Sequence, residues 1–274
     1  MTFTAACLQM RSTRSIERNI AQFTALAREA IAKGATFLQS PEMSNLVERS
    51  RKDLFAAISP EASDPFLAAA RALAAEAKVT IHIGSLAILE GDKIANRGFL
   101  IGPDGGITAR YDKLHLFDVD LPNGESWRES ATYTAGACAV VAPACGAVLG
   151  MGICYDLRFP YLFRAMAEAG ADILTAPACF TKQTGEAHWV VLQRARAIET
   201  GSFVISAAQG GTHEDGRETY GHSIIIDPWG RVLAEADDAP GVILAEIDLL
   251  KVEDARTRIP TQKHTRAITV SRVG

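Results

Sequence analysis

Three polar residues each follow a predicted strand, and their side chains are an acid, an amine and a thiol. Glu42 comes after TFLQS, Lys113 after ITARY, and Cys154 at the end of the apolar run AVLGMGI. Functional residues gather at the carboxyl ends of strands in α/β sheets. A chain that turns at Cys154 from a strand directly into a helix, with Pro160 in its first turn, presents the thiol beside free backbone N–H groups and the positive end of the helix dipole. This pattern predicts a cysteine nucleophile with an oxyanion site next to it.

Such a thiol needs a base, because a free cysteine with a pKa of about 8.5 is only slightly ionised at neutral pH. Glu42 could accept its proton if burial raised the pKa of the carboxyl group, and Lys113 would stabilise negative charge on a substrate oxygen. Spacing alone does not link the three residues. An isolated Glu or Lys is more often on the surface, and a single Cys is more often buried and inert.

Other chemistries have weaker support in the sequence. The six histidines show neither the H-E-x-x-H spacing nor another ligand spacing, so a metal-dependent hydrolase is not indicated. A Cys–His pair with His115 or His222 as the base lacks the local signature around the cysteine. Gly150 and Gly152 begin like a phosphate-binding loop, but the third glycine is missing and the pair is more typical of a strand that passes close to a neighbour. The sequence therefore predicts no metal and no cofactor.

Composition limits the partners that the chain is expected to bind. Of its 274 residues 48% are hydrophobic and 22% are charged, and the net charge is -4 with no basic run. Nucleic acid and an anionic membrane surface are therefore not expected partners. The start of the chain lacks a signal-peptide pattern, and no apolar stretch reaches the ~18 residues of a membrane span, which favours the cytoplasm. The five cysteines contain no C-x-x-C pair, which favours reduced thiols.

The elements that must position these residues alternate between strand and helix. The predicted helices span residues 12–33, 66–78, 161–169, 186–200 and 251–257, and the predicted strands span 3–10, 36–40, 80–89, 95–101, 107–111, 137–142, 147–153, 172–177, 203–209, 220–227, 231–235 and 242–247. The polar segment from Lys113 to about Ala131 is predicted to be structureless, as the wall of an active site or a disordered loop.

The order strand, helix, strand, helix and then hairpins occurs once before Cys154 and again from it. Two such halves predict an α/β fold, a four-layer α-β-β-α sandwich of two mixed sheets with outer helices. No linker composition separates the halves, so we expect one domain over residues 1–274.

Three segments, QSPEMSN, RYDKLHLFD and GICYDLRFP, resemble the signature blocks of the nitrilase superfamily of carbon–nitrogen hydrolases. The resemblance covers the chain from its first strand to its last. It implies that Glu42 is the general base, that Lys113 stabilises the oxyanion together with the backbone N–H of Tyr155, and that Cys154 is the nucleophile. It also implies a second glutamate in the loop after the lysine. Glu129 in WRES matches that place, with Glu125 as the alternative.

The segments TGEAHWVVLQRARAIET and SAAQGGTHEDGRETYGHSIIIDPWG are similar to the amidases that hydrolyse deaminated glutathione. The ω-amidases, which act on α-ketoglutaramate, share the first of the two. The resemblance implies hydrolysis of a small amide that carries an α-keto acid, through a thioester on the cysteine. N-carbamoyl amino acid hydrolysis and nitrilase action remain alternatives.

By the same resemblance, Arg158 would bind the substrate carboxylate, whereas a helix-start ion pair with Asp156 is an equally weighted alternative. Phe180 and Thr184 match pocket positions, or they serve as ordinary packing and a helix cap.

The resemblance also implies a homodimer or a higher homo-oligomer, because the family commonly pairs through the helix after the nucleophile and through its C-terminal segment. The irregular tail, about residues 258–274, would then pack on a partner subunit. A non-catalytic scaffold subunit that keeps the fold is the alternative of a different class. The presence of all the expected polar residues argues against it.

Overall fold

The computed structural model describes residues 1–122 and 124–273, in which two large sheets lie face to face with helices on their outer sides. The first sheet contains β1 (Thr2–Gln9), β2 (Phe37–Gln39), β3 (Thr80–Glu90), β4 (Lys93–Ile101), β5 (Ile107–Asp112), β8 (Tyr133–Thr134) and β17 (Gly241–Asp248). The second contains β9 (Val140–Ala144), β10 (Ala147–Met151), β11 (Ile173–Thr175), β12 (Phe203–Ser206), β15 (Ile224–Ile226) and β16 (Val232–Glu235). The predicted α-β-β-α sandwich is confirmed.

The remaining elements lie around these sheets. Two small antiparallel sheets pair β6 (Asp118–Asp120) with β7 (Ser126–Arg128) and β13 (Gly210–Thr212) with β14 (Glu218–Tyr220). The helices are α1 (Ile16–Ala32), α2 (Arg51–Ala57), α3 (Pro65–Ala77), α4 (Pro160–Glu168), α5 (Lys182–Thr200) and α6 (Leu250–Arg258). Among the described residues, no helix is both long enough and apolar enough to span a bilayer.

The two halves of the chain repeat one arrangement of strands. In the first sheet β1, β2 and β3 are parallel, and β4 and β5 continue antiparallel. In the second sheet β10, β11 and β12 are parallel, and β9 and β15 flank them antiparallel. Because parallel strands end at one edge of their sheet, the segments after β2, β10 and β11 are where a shared site is expected.

Side-chain alternation along the strands places the core on both faces of each sheet. In β1, Ala5 and Cys7 belong to the apolar cluster between the two sheets, whereas Ala6 and Leu8 belong to the cluster under α1 and α3. Strands buried on both faces read as continuous apolar runs, and this explains why they were predictable from sequence.

Glycines allow β10 and the residues after it to lie close to the neighbouring strand β11. A Cβ at Gly150 would lie 2.9 Å from Leu174 Cδ2, and one at Gly152 would lie 2.9 Å from the Thr175 carbonyl oxygen. The interpretation of this pair as a close strand passage, and not a phosphate loop, is confirmed.

One prediction about secondary structure was wrong, and one helix was missed. The segment from Lys113 to Ala131 is not structureless, because β6 and β7 form a hairpin there and residues Glu129–Ala131 form a 3-10 turn. Cross-strand polar contacts hold the hairpin, with Ser126 and Arg128 both bound to the Asp120 carboxylate. The helix α2 was not predicted at all, although the Ser50 side chain caps it by accepting the Asp53 N–H.

Candidate active site

A buried ammonium group between two carboxylates forms the centre of the site. Lys113 Nζ lies 2.8 Å from Glu42 Oε1 and 2.9 Å from Glu129 Oε2, and only 2% of the lysine side chain is exposed. The Asn96 side-chain amide donates to Oε1 of both glutamates, at 2.9 and 3.1 Å. The cluster thus carries one net negative charge that is spread over two carboxylates.

The loop after β2 positions Glu42 by hydrogen bonds to both of its carboxylate oxygens. Oε1 accepts from Lys113 and Asn96, and Oε2 accepts the backbone N–H of Cys179, which follows β11, at 2.7 Å. The Gln209 side-chain amide holds the loop itself by donating to the Glu42 carbonyl oxygen at 3.0 Å. Glu42 is therefore fixed from both sheets.

The chain turns sharply at Cys154, although not as predicted. Strand β10 ends at Met151, residues Cys154–Arg158 form a 3-10 helix, and α4 begins only at Pro160. The thiol is thus not at the first turn of an α-helix, and that expectation was wrong. Cys154 has φ +48°, a left-handed conformation that is uncommon for a residue with a side chain and that the surrounding structure must hold in place.

Asp156 holds this turn and links it to the lysine segment. Its fully buried carboxylate accepts the Ile153 N–H at 2.9 Å, the Tyr111 hydroxyl at 2.7 Å and the His115 backbone N–H at 3.0 Å. Tyr111 and His115 flank Lys113 in sequence. One carboxylate therefore sets the position of the thiol segment relative to the ammonium segment.

The electrostatics of the cluster keep the thiol protonated and the glutamate charged. Burial raises the pKa of the Cys154 thiol, and the neighbouring Glu42 carboxylate raises it further. Burial opposes ionisation of Glu42 too, but the charge and hydrogen bond of Lys113 outweigh it and lower the pKa of that carboxyl. Although burial favours neutral Lys113, the charges of Glu129 and Glu42 raise its pKa well above the ordinary value.

A cavity of about 530 Å³ opens on this cluster, a volume that suits a small molecule. Glu42, Lys113, Cys154 and Glu129 line it, and so do the other four residues predicted from the resemblance: Tyr155, Arg158, Phe180 and Thr184. The structure thus brings the predicted site residues together, while their catalytic roles remain a prediction. Glu125, the alternative to Glu129, lies at Trp127 Nε1, and Glu129 is the glutamate on Lys113.

Asp156, the alternative partner of Arg158, and the two histidines considered as a base for Cys154 are bound to other residues. Asp156 binds the turn described above and not Arg158, whose guanidinium lies over the Phe180 ring at 5.0 Å and contacts His188 Nδ1 at 3.2 Å. His115 binds Asp156 and Tyr161, so it is occupied away from the thiol.

His222 pairs with Glu235 and stacks on Tyr220, so it too is directed elsewhere. Neither of the two alternatives that the sequence left open, an Arg158–Asp156 pair and a Cys–His pair, is present among the described residues. The Thr184 hydroxyl bonds to the hydroxyl of Thr181, the residue before α5, at 2.7 Å, and neither side chain caps a backbone N–H of that helix.

Among the residues of the cavity region that were not predicted, three bear on the chemistry of the site. Asn96 is a buried amide in the middle of the apolar strand β4. A buried amide needs polar partners, so an asparagine within an apolar strand of the sequence could have indicated a polar site. Cys179 also lines the cavity, and burial raises the pKa of its thiol to about 11, so it stays neutral. Arg217, from β13–β14, lines the cavity as well, and no local pattern distinguishes it from a surface arginine.

The carbon–nitrogen hydrolase family model matches residues 4–257. The chain belongs to the carbon–nitrogen hydrolase family. It is 39% identical over 268 residues to deaminated glutathione amidase of Synechocystis sp., covering 96% of this chain and 97% of that protein. With the deaminated glutathione amidase of Rattus norvegicus it shares 38% identity, covering 95% of this chain and 81% of that protein.

Among solved structures, the C. elegans NitFhit protein superposes on this carbon–nitrogen hydrolase with a TM-score of 0.90 and 32% identity. The superposition covers 97% of this chain but only 65% of that longer one. The family resemblance read from the three signature segments is confirmed, and the chain is an enzyme of the amidase type.

Proposed function

We propose that Cys154 attacks the carbonyl carbon of a small amide, with Glu42 as general base and Lys113 as oxyanion stabiliser. The observation that carries this proposal is the hydrogen-bonded cluster of Lys113 with two glutamates at the turn that holds the thiol. An amide carbonyl is a poor electrophile, so the reaction needs both an activated nucleophile and a cation at the developing oxyanion.

The charges of the cluster support proton transfer at the moment of attack. In the resting site the thiol is neutral and Glu42 is charged, so the proton moves from Cys154 to Glu42 without a change in the net charge of the cluster. The thiolate then bonds to the carbonyl carbon, and its charge passes to the oxygen beside Lys113 and the Tyr155 backbone N–H. When the C–N bond breaks, Glu42 returns the proton to the leaving amine.

In the hydrolysis of the thioester, water takes the place of the thiol as the nucleophile and the Cys154 sulfur becomes the leaving group. Glu42 removes a proton from water, the resulting hydroxide attacks the thioester, and the Cys154 sulfur leaves and regains the proton. Glu129 accepts the Phe117 N–H at 2.6 Å while it binds Lys113, so we assign it to holding the ammonium in place. The reaction uses only water as a second substrate.

For the substrate we propose an amide of an α-keto acid, as in deaminated glutathione, the substrate named for the relatives in Synechocystis sp. and Rattus norvegicus. Arg158 supports this choice, because its guanidinium lies near Cys154 and forms no ion pair with any carboxylate of the described residues. A guanidinium of this kind binds a carboxylate in a bidentate manner. ω-Amidase action on α-ketoglutaramate is the second candidate, since it requires the same acyl group.

The test is hydrolysis by the purified full-length protein of deaminated glutathione, α-ketoglutaramate, N-carbamoyl amino acids and nitriles. Wild type should hydrolyse a keto-acid amide, and Cys154→Ala should lower kcat/KM by at least ~10³-fold. The matched control is Cys138→Ala, since Cys138 is exposed and outside the cavity. Full activity in Cys154→Ala would overturn the mechanism, and preferred turnover of a nitrile or carbamoyl compound would overturn the substrate.

Inactivation by iodoacetamide gives a second readout. Because Cys138 is exposed, the label must be located by peptide mapping and not by total mass. Loss of activity should follow labelling of the Cys154 peptide, and a substrate present in excess should slow both.

We further propose that residues 1–274 form a single domain and that the protein acts in the cytoplasm. We also propose that it is a homo-oligomer in which the tail, about residues 258–274, packs on a partner subunit. Three apolar side chains of the described tail are each at least 86% exposed in the isolated chain: Ile268, Val270 and Val273. Such exposure of apolar side chains supports their burial against a partner subunit.

A further inference from the structure

The cavity has a second basic region, formed by Arg217 and Arg49 at the Trp127 ring. The two guanidinium carbons lie 4.6 and 4.5 Å from the centre of the indole, and all three residues line the cavity. They come from separate parts of the chain, since Arg49 precedes α2, Trp127 is in β7 and Arg217 is in the turn before β14. Such stacking fixes the planes of the guanidinium groups while it leaves their N–H groups for another partner.

The positive charge of Arg217 is only partly matched by the protein. Its Nη1 contacts the Cys179 sulfur at 3.6 Å, and its Nη2 lies 3.6 Å from Asp215 Oδ2, beyond hydrogen-bond distance. Its Nε has no hydrogen-bond acceptor among the described residues. Only 16% of this side chain is exposed, so water compensates little for the missing oxygen acceptors.

Arg49 has no carboxylate partner in the described part of the chain, and Arg217 has only Asp215 at 3.6 Å. A neighbouring cavity arginine, by contrast, is fully paired. Arg128 binds both oxygens of Asp120 at 2.9 Å. The acidic side chains that line the cavity are engaged too. Glu42 and Glu129 bind Lys113, and Glu48 pairs with Arg14. Arg49 and those N–H groups of Arg217 that have no oxygen acceptor are therefore available to a ligand.

A row of aromatic rings separates this region from Arg158. Phe117 lies between Trp127 and Tyr155, with centroid distances of 6.4 and 5.1 Å, and Arg158 lies over the Tyr155 ring at 5.9 Å. Arg158 interacts electrostatically with Cys154, whereas Arg217 reaches Cys179, whose backbone N–H binds Glu42. The two basic regions thus reach the reacting groups from different ends of the aromatic row.

We propose that Arg217 and Arg49 form a second anion site, which binds a carboxylate on the amine portion of the substrate. This inference rests on the proposed function, in which Arg158 binds the carboxylate of the acyl portion. An amide with one carboxylate on each side of the scissile bond uses both sites, whereas a primary amide that releases ammonia uses only one. The site therefore selects α-keto-acid amides of amino acids or short peptides over primary amides.

The test compares two probe ligands that differ only in one charge. The first is the γ-amide of α-ketoglutarate with alanylglycine, and the second is the same compound with a C-terminal carboxamide. Their affinities for Cys154→Ala protein are measured by calorimetry, so that no turnover occurs. The free acid should bind about tenfold to hundredfold more tightly than the carboxamide, as expected for a charge-assisted hydrogen bond in a shielded site.

Adding Arg217→Gln to Cys154→Ala should reduce that preference to about twofold or less, and Arg217→Lys should keep part of it because the charge remains. Arg49 is exposed, so Arg49→Gln is expected to fold and should reduce the preference several-fold. If Arg217→Gln does not fold, the Arg49→Gln result decides.

Equal binding of the two probes, no measurable binding of the acid, or a preference that survives both substitutions would overturn the second anion site. These outcomes are independent of the proposed function, which is tested by turnover in the wild type. An enzyme that hydrolyses keto-acid amides without the charge preference keeps its function and loses only this site.

Discussion

Asn96 shows how one uncharged side chain sets the properties of two charged ones. Its amide donates to a carboxylate oxygen of Glu42 and of Glu129, which are held together although both are negative. Hydrogen bonds to the charged form stabilise it, so Asn96 helps Lys113 to keep the pKa of Glu42 below its ordinary value. The base is thereby ionised across the neutral pH range.

We predict that Asn96→Ala shifts the acidic limb of the pH–rate profile to higher pH. Loss of the hydrogen bond destabilises charged Glu42, so its pKa rises and the active ionised form is lost at a higher pH as the solution is acidified. The shift should be about 0.5 to 1 pH unit, with kcat/KM lowered roughly tenfold at its maximum. A uniform fall in rate with an unchanged acidic limb would contradict this role.

Some residues of the site were predictable from the sequence, and others were not. Glu42, Lys113 and Cys154 each follow a strand, and the signature segments linked them. Asn96 lies outside those segments, and Arg217 lies in the quoted segment of residues 206–230 without being distinguished there. The roles of both depend on contacts with residues more than 30 positions away.

At the scale of elements, Asp156 joins the turn after β10 to the segment after β5. The same contacts explain why the chain does not pass directly from Cys154 into the α-helix, as the sequence had predicted. Asp156 accepts the Ile153 N–H and so stabilises a 3-10 turn, and the bonds from Tyr111 and His115 that hold the carboxylate come from another sheet. A local pattern of apolar residues followed by a helix cannot contain that information.

Asp156→Asn should lower both stability and activity. One acceptor oxygen becomes a donor that faces N–H and O–H groups, and we expect a loss of about 2–4 kcal/mol in the free energy of unfolding and a fall of roughly 100-fold in kcat/KM. Chemical denaturation and steady-state kinetics measure the two effects.

Asp172→Asn is the matched control, because its carboxylate accepts the Val148 N–H at 3.0 Å near the opposite end of the same strand, β10. It should lose less stability and keep its kcat/KM. Equal losses of activity in the two variants would refute the special role of Asp156.

At the scale of the whole molecule, the site exists because two sheets approach each other closely at their strand ends. Gly84 in β3 lies at such a close contact, since a Cβ there would lie 2.3 Å from the Ser40 carbonyl oxygen and 2.5 Å from Pro177 Cβ, which follows β11 of the other sheet. Ser40 precedes the Glu42 loop, and the Pro177 carbonyl oxygen accepts the Cys154 N–H at 3.0 Å. A side chain at this position would push the base and the nucleophile apart.

We predict that Gly84→Ala destabilises the protein by about 2 kcal/mol or more and nearly abolishes activity. Gly241→Ala in β17 is the control, because a Cβ there meets no atom within 4 Å and its φ is not left-handed. Thermal unfolding and amide hydrolysis should show little change in the control. A fully active Gly84→Ala protein would show that the sheets do not need this spacing.

The assembly prediction belongs to this scale as well. If the tail packs on a partner subunit, light scattering at micromolar concentration should give a dimer or larger species, and Ile268→Asp should shift it toward the monomer by burying a charge. A wild-type monomer would contradict the prediction.

The fold class was predictable because buried parallel strands and amphipathic helices carry strong periodic signals. The hairpin β6–β7 and the helix α2 were not, since polar contacts and a single buried residue, Leu54, hold them. Both border the cavity. The elements that determine the shape of the substrate cavity are therefore those with the weakest sequence signal.

Trapping the acyl-enzyme is the most direct test of Cys154 as the nucleophile. Wild-type protein turning over a keto-acid amide is quenched in acid, digested and examined by mass spectrometry. We predict a mass increase equal to the acyl portion of the substrate on the Cys154 peptide, and none on the Cys138 or Cys179 peptides. An acyl group on another residue, or hydrolysis without any acylated Cys154, would contradict it.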